Sequence, residues 1–335
     1  MQLENTERIQ TEKSVETAKK MKKAGLFFFL LILFEFPVSF LIGVIQLNFP
    51  EEYAILISIL CTQGYLLISA LIYIAVTKTK LQQDLQIKKY KVSTFFLSLL
   101  VLIMASPMAT LLNLVSQLFA ENTTSGAIFS ITGNVPMWLG VIIIGCLPGF
   151  IEELIYRGIL FSAFRKRSVL TGIVVSALAF GLMHFNFNQI MYAIYLGLVF
   201  ALIVEATGSL VSTMFLHMSF NAINTAYVYA LPKFYALMSQ YSEEYQNIDL
   251  EAEFAKTPTA QSLLSMIVVV IPFAIGGLII AFLLIKQMAK INQRELNWKF
   301  IVGNKEEVKQ IKPVNGFLIA GCVICLLIAT LNLLA

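Results

Sequence analysis

The chain is a succession of long apolar runs separated by short polar stretches, without the one-sided period of a helix that shows a face to water. Crossing a hydrocarbon core takes about 20 apolar residues in helix. Nine segments meet or approach that length: 24–47, 53–76, 92–119, 136–164, 168–185, 189–204, 209–231, 262–285 and 314–335. The sixth is short, and the fourth carries charges in its middle. The pattern predicts an all-α, polytopic transmembrane bundle of eight to nine spans. There is no internal repeat, low-complexity tract or separate soluble domain, so the expected organisation is a cytoplasmic N-terminal arm, 1–23, and a single membrane domain, 24–335.

Composition agrees: 58% of the residues are hydrophobic, only 13% are charged, and the mean hydropathy is +0.79, far from the soluble range. Lysine and arginine placement tests the span count, because cytoplasmic loops carry the basic excess. Arg8, Lys13, Lys19, Lys20, Lys22 and Lys23 precede span one; Lys78, Lys80, Lys88, Lys89 and Lys91 follow span two. Arg165, Lys166 and Arg167 follow span four; Lys286, Lys290, Arg294, Lys299, Lys305, Lys309 and Lys312 follow span eight. One side therefore holds 21 of the 24 cations, the other only Lys233 and Lys256, with Arg157 inside a span. The N-terminus is expected inside and the C-terminus outside. Orientation accounts for the net charge of +4, so no nucleic-acid partner is expected. The polar first twenty residues predict an uncleaved first span that acts as an anchor.

Cys61, Cys146, Cys322 and Cys325 all fall in spans, and the Cys322-x-x-Cys325 pair reads as small apolar filler rather than a redox or zinc motif. The longest outer loop is acidic, with Glu243, Glu244, Asp249, Glu251 and Glu253, and reads as a solvated connector.

The fourth span poses the chemical question, since GCLPGFIEELIYRGILF puts Glu152, Glu153 and Arg157 into an apolar run. A charge at a helix centre costs roughly 2.5 to 3.5 kcal/mol on insertion scales. Glu153 and Arg157, at i and i+4, share a face and can neutralise each other, whereas Glu152 lies about 140° from Arg157 around the helix. Glu152 is left over. A bland explanation is a bond to a broken helix end, since Pro148 frees the carbonyl of Ile144; the alternative is a polar cavity with a function. Both histidines of the chain lie in later spans, His184 in Phe180-x-x-x-His184 and His217 in His217-x-x-x-Asn221. The second spacing puts His217 and Asn221 on one helical face. Counted from the cytoplasmic ends at about 1.5 Å per residue, Glu152 lies ~20 Å deep, His184 ~24 Å, Asn221 ~18 Å and His217 ~12 Å. Glu35 is expected to bond a neighbouring span or line the cavity, Glu205 to be solvated at the inner interface, and Gln63, Asn113 and Asn224 to bond between helices.

Glu152-Glu153-x-x-x-Arg157, Phe180-x-x-x-His184 and His217-x-x-x-Asn221, in that order on successive spans, resemble the CAAX protease and bacteriocin-processing family of intramembrane proteases. That family includes the CAAX prenyl endopeptidases and bacterial proteins called Abi. The resemblance covers about 150–221 and implies a catalytic core at about 136–231. It implies hydrolysis of a peptide bond of a membrane-associated protein or peptide. Glu152 and His184 would polarise a water, His217 and Asn221 would steady the oxyanion, and Glu153 with Arg157 would hold the helix. A buried carboxylate suits base and then acid work, and neutral donors suit a developing negative charge.

A competing mechanism puts a divalent metal, zinc, on His184, His217 and Glu152. Against it stand the absence of a His-Glu-x-x-His helix and the loss of Glu152 as base, so no cofactor is the preferred expectation. Two other classes remain: a membrane scaffold or immunity protein, whose motifs need not stay complete, and a transporter, whose signature would be broken helices in both halves. Prenylated proteins are substrates of the eukaryotic branch; the compact chain fits a bacterial plasma membrane, with peptide maturation or immunity as the role.

Overall fold

The computed structural model describes residues 2–122, 124–245, 248–249, 252, 257–304, 308, 311–312 and 314–334, with no side chain before Thr11 and none for Glu244. Arg8, Glu244 as a side chain, Glu251, Glu253, Lys256, Lys305 and Lys309 therefore lie outside the described residues. The described chain is all helical. In order, the helices are α1 (Gln2–Gln46), α2 (Ala54–Thr77), α3 (Val92–Ser116), α4 (Thr124–Ser130), α5 (Met137–Phe164), α6 (Val169–Leu182), α7 (Phe187–Thr207), α8 (Leu210–Met238), α9 (Ala260–Ile291), α10 (Trp298–Val302) and α11 (Gly316–Leu334).

A helix stands at each of the nine predicted spans. Seven are long and apolar enough to cross a membrane; α6 has only 14 residues, and α8 has 29 but is more polar. The protein is thus an integral membrane protein. Helix α1 runs from the polar N-terminal stretch into the first span without a break. Its polar residues are good helix formers, with Lys20 paired to Glu16 at 2.9 Å one turn away.

In their most apolar windows, α7 is 67% buried and α5 is 56%, against 17 to 28% for the other five long spans, so these two, with the mostly buried α6, form the centre. Helix α6 packs on α7 and α5, α8 packs along the N-terminal half of α5, and α9 pairs with α3. The ends of this hub near the basic residues Arg165, Lys166 and Arg167 are tied down. Ser168 caps α6 by accepting from the Thr171 amide at 3.1 Å, and the Leu210 amide donates to the Gln86 carbonyl at 2.9 Å.

Glu205 is not solvated. It is 0% exposed, and Arg165 reaches it through Nε at 2.9 Å and Nη2 at 2.8 Å, while Arg294 adds Nη2 at 2.7 Å. Arg294 Nε also donates to its carbonyl. Two arginines from separate loops converge on one carboxylate, which neutralises it where water does not reach. Gln63 and Asn113 do bond between helices, Asn113 to Asn188 at 3.3 Å. Asn224 instead donates to the Phe220 carbonyl of its own helix at 2.8 Å. The four cysteines are free thiols.

Candidate functional site

Helix α5 changes its winding around the two glutamates. Pro148 offers no N–H to the carbonyl of Ile144, and the turns just before it, Val141–Cys146, take the wider π form. A second π stretch, Leu154–Phe161, follows Glu153. Between them Leu147–Glu153 is α-helical and carries both carboxylates. Such wide turns occur often at functional sites. Gly149 lets α8 approach here, since a Cβ on it would lie 2.5 Å from the Met218 nitrogen and 2.9 Å from the His217 carbonyl carbon. His217 therefore stands beside the glutamates, not two turns shallower as counting from the span ends suggested.

Arg157 Nη1 donates to Glu153 Oε1 at 2.7 Å, and both side chains are wholly buried. The same carboxylate oxygen lies 3.1 Å from Nδ1 of His217. The other ring nitrogen, Nε2, is 3.7 Å from Oε2 of Glu152. Gln63, from α2, donates through Nε2 to Oε1 of Glu152 at 3.4 Å. One imidazole thus sits between two carboxylates, one of them neutralised by an arginine. The Arg157 Nε and Nη2 groups find no acceptor among the described residues. Two rings take that place: the guanidinium carbon lies 4.4 Å from the Phe180 centroid and 5.4 Å from that of Phe200.

Phe180 is shared further. His184 and His217 both meet its ring edge-on, with centroid distances of 5.1 and 5.4 Å. His184 lies just past the end of α6, with Nδ1 2.9 Å from the Phe180 carbonyl oxygen. In the neutral ring Nδ1–H donates to that carbonyl, which leaves Nε2 as an acceptor. Behind it, Tyr156 donates its hydroxyl to the Met183 sulfur.

A cavity of about 670 Å³ gathers Glu152, His184, His217 and Asn221 onto one surface, with Phe180 and Tyr192 beside them. Glu153 and Arg157 are not among its lining residues and lie behind His217. All six residues singled out in the sequence are therefore brought together, four at the cavity and two in support. Missed by sequence reasoning were Gln63 as the partner of Glu152, and Phe200 and Tyr192. Phe180 had been visible only as a motif position. No local signal marks Phe200 or Tyr192, whose roles come from packing across helices.

Glu152 and His217 are near each other, but no three His, Cys, Asp or Glu side chains among the described residues are grouped to hold a metal ion.

No curated protein and no solved structure matches the chain. Residues 133–223, the stretch that supplies Glu152, Glu153, Arg157, His184, His217 and Asn221, match the model of the family described as type II CAAX prenyl endopeptidase Rce1-like, in agreement with the resemblance that these motifs carry.

Proposed function

We propose that this protein is an intramembrane endopeptidase of a bacterial plasma membrane, hydrolysing a peptide bond of a membrane-associated protein or peptide with a water activated at Glu152. The observation that carries this reading is the placement of Glu152, the only carboxylate among the described residues of the cavity wall, beside two histidines and an asparagine. Glu152 takes a proton from water as base and returns it to the leaving amine as acid. His184, with Nδ1 committed to the Phe180 carbonyl, accepts from the same water through Nε2.

Asn221 is the neutral donor for the oxyanion. His217 differs from the sequence expectation in one respect: with Nδ1–H engaged by Glu153, it donates through Nε2 only when it carries a second proton. Glu153 and Arg157 fix the ring and touch no substrate, so they are positioning residues.

The mechanism derived from these side chains uses no metal. Elemental analysis of the purified protein, followed by chelator dialysis and assay, should find activity unchanged by chelation. Near-unit zinc, with activity restored only by added metal, would overturn it. The activity itself is tested by comparing the peptides of cells that carry the wild-type protein or Glu152→Ala. A cleavage product missing from the variant supports hydrolysis and identifies the substrate; identical peptide profiles, with both proteins present in the membrane, sink it.

A further inference from the structure

Helix α2 lies outside the matched residues 133–223, yet it packs on the 141–153 part of α5, where the two glutamates stand. Its buried residues are Gln63, Leu66 and Ala70, at helical spacings that put all three on one stripe. Two of them are apolar. The third carries an amide into the interior of the bundle, where Gln63 is only 6% exposed. A buried amide costs free energy unless it is bonded, and the partner that Gln63 finds is Oε1 of Glu152, to which its Nε2 donates at 3.4 Å.

The two oxygens of Glu152 therefore stand in different surroundings. Oε1 is held by Gln63, whereas Oε2 lies 3.7 Å from Nε2 of His217, beyond hydrogen-bond length. The last torsion of a glutamate is intrinsically broad, so a donor on one oxygen is what fixes the plane of the carboxylate. With Oε1 engaged, Oε2 is the oxygen turned to His217, a residue of the cavity wall. Gln63 acts from α2, across the bundle from α8 and His217, and it meets Glu152 rather than the wall groups that would touch a substrate.

We propose that Gln63 is a positioning residue for the general base: its amide holds Oε1 of Glu152 so that Oε2 does the proton transfer, which makes α2 part of the catalytic machinery. The inference rests on the hydrolase reading and deepens it. An O–H bond of the water breaks as its oxygen bonds the substrate carbonyl carbon, and the proton goes to Oε2. The same proton then passes from Oε2 to the amine nitrogen as the C–N bond breaks, which leaves Glu152 ionised again with Oε1 still bonded to Gln63.

The test uses the full chain in lipid nanodiscs. Gln63→Met keeps the length of the side chain and removes the donor; Gln63→Asn keeps an amide that stops short of Glu152. With a synthetic copy of the peptide that the cell comparison identifies, each should lower kcat about tenfold at unchanged KM, the effect of losing one hydrogen bond to a charged group. A packing role alone would lower the melting temperature and leave kcat per folded molecule untouched. Infrared difference spectra, each protein against the same protein with Glu152→Gln, isolate the Glu152 carboxyl band, and Gln63→Met should shift that band because one oxygen has lost its donor. Unchanged kcat in both variants, or an unmoved band, overturns the assignment. A shifted band where the wild type itself cleaves nothing upholds the hold of Gln63 on Glu152 and defeats the hydrolase reading instead.

Discussion

Glu153 and Arg157 are each tolerable in the hydrocarbon core only because the other is present, and both are wholly buried. Glu153→Gln or Arg157→Met alone should therefore destabilise the fold by about 3 to 5 kcal/mol, while the double change recovers part of the loss. Thermal melting in detergent checks it, and additive losses would mean that Glu153 takes part in chemistry. On activity, Asn221→Ala should cost about a hundred- to a thousandfold in kcat, the usual effect of losing one oxyanion donor. Gln63→Leu removes the α2 donor to Glu152 and should cost less; an equal loss would assign Gln63 a direct role. The i, i+4 pairing was legible in the sequence because it is local helix geometry. Gln63 facing Glu152 across 89 positions, and two arginines closing on Glu205, were not, since each depends on which helices become neighbours.

Among the elements, the crossing of α5 with α8 decides whether a site exists. Gly149→Ala would drive a methyl group into the backbone of Met218. The helices must then separate and pull His217 away from Glu153. The variant should lose activity and melt at lower temperature, whereas Gly133→Ala, where nothing lies within 4 Å of an added Cβ, should behave as wild type. At the opposite end of the bundle from α4, Glu205→Gln leaves Arg165 and Arg294 without their shared anion and should cost about 2 kcal/mol, less than a fully buried pair because both arginines can rehydrate. The nine helix positions were readable from apolar run length alone. The relative depth of His217 was not: α8 begins at Leu210, wholly buried and tied to the Gln86 carbonyl, so its start does not mark the membrane edge from which residues were counted.

For the whole molecule, the basic excess on one side predicts orientation, and with it the side on which the α4 end of the cavity lies. Reporter fusions after Lys91, Arg167 and Lys290 should read cytoplasmic, and fusions after Ser125 and Glu244 exterior. An inverted result at Arg167 would remove this placement of the site. The two π stretches of α5 also set how this chain tolerates a change of length. Each holds one residue more between its hydrogen-bonded partners than an α turn would. Removing Ile159 from the second stretch lets that turn tighten to the α form, while Glu153 still faces α8 and Arg165 still reaches Glu205. Removing Ile151 from the α-helical residues between the stretches offers no such slack and swings the register there by about 100°. A one-residue deletion scan along α5 should therefore show two tolerant windows flanking an intolerant one, a pattern of permitted shortening drawn by the backbone rather than by any side chain.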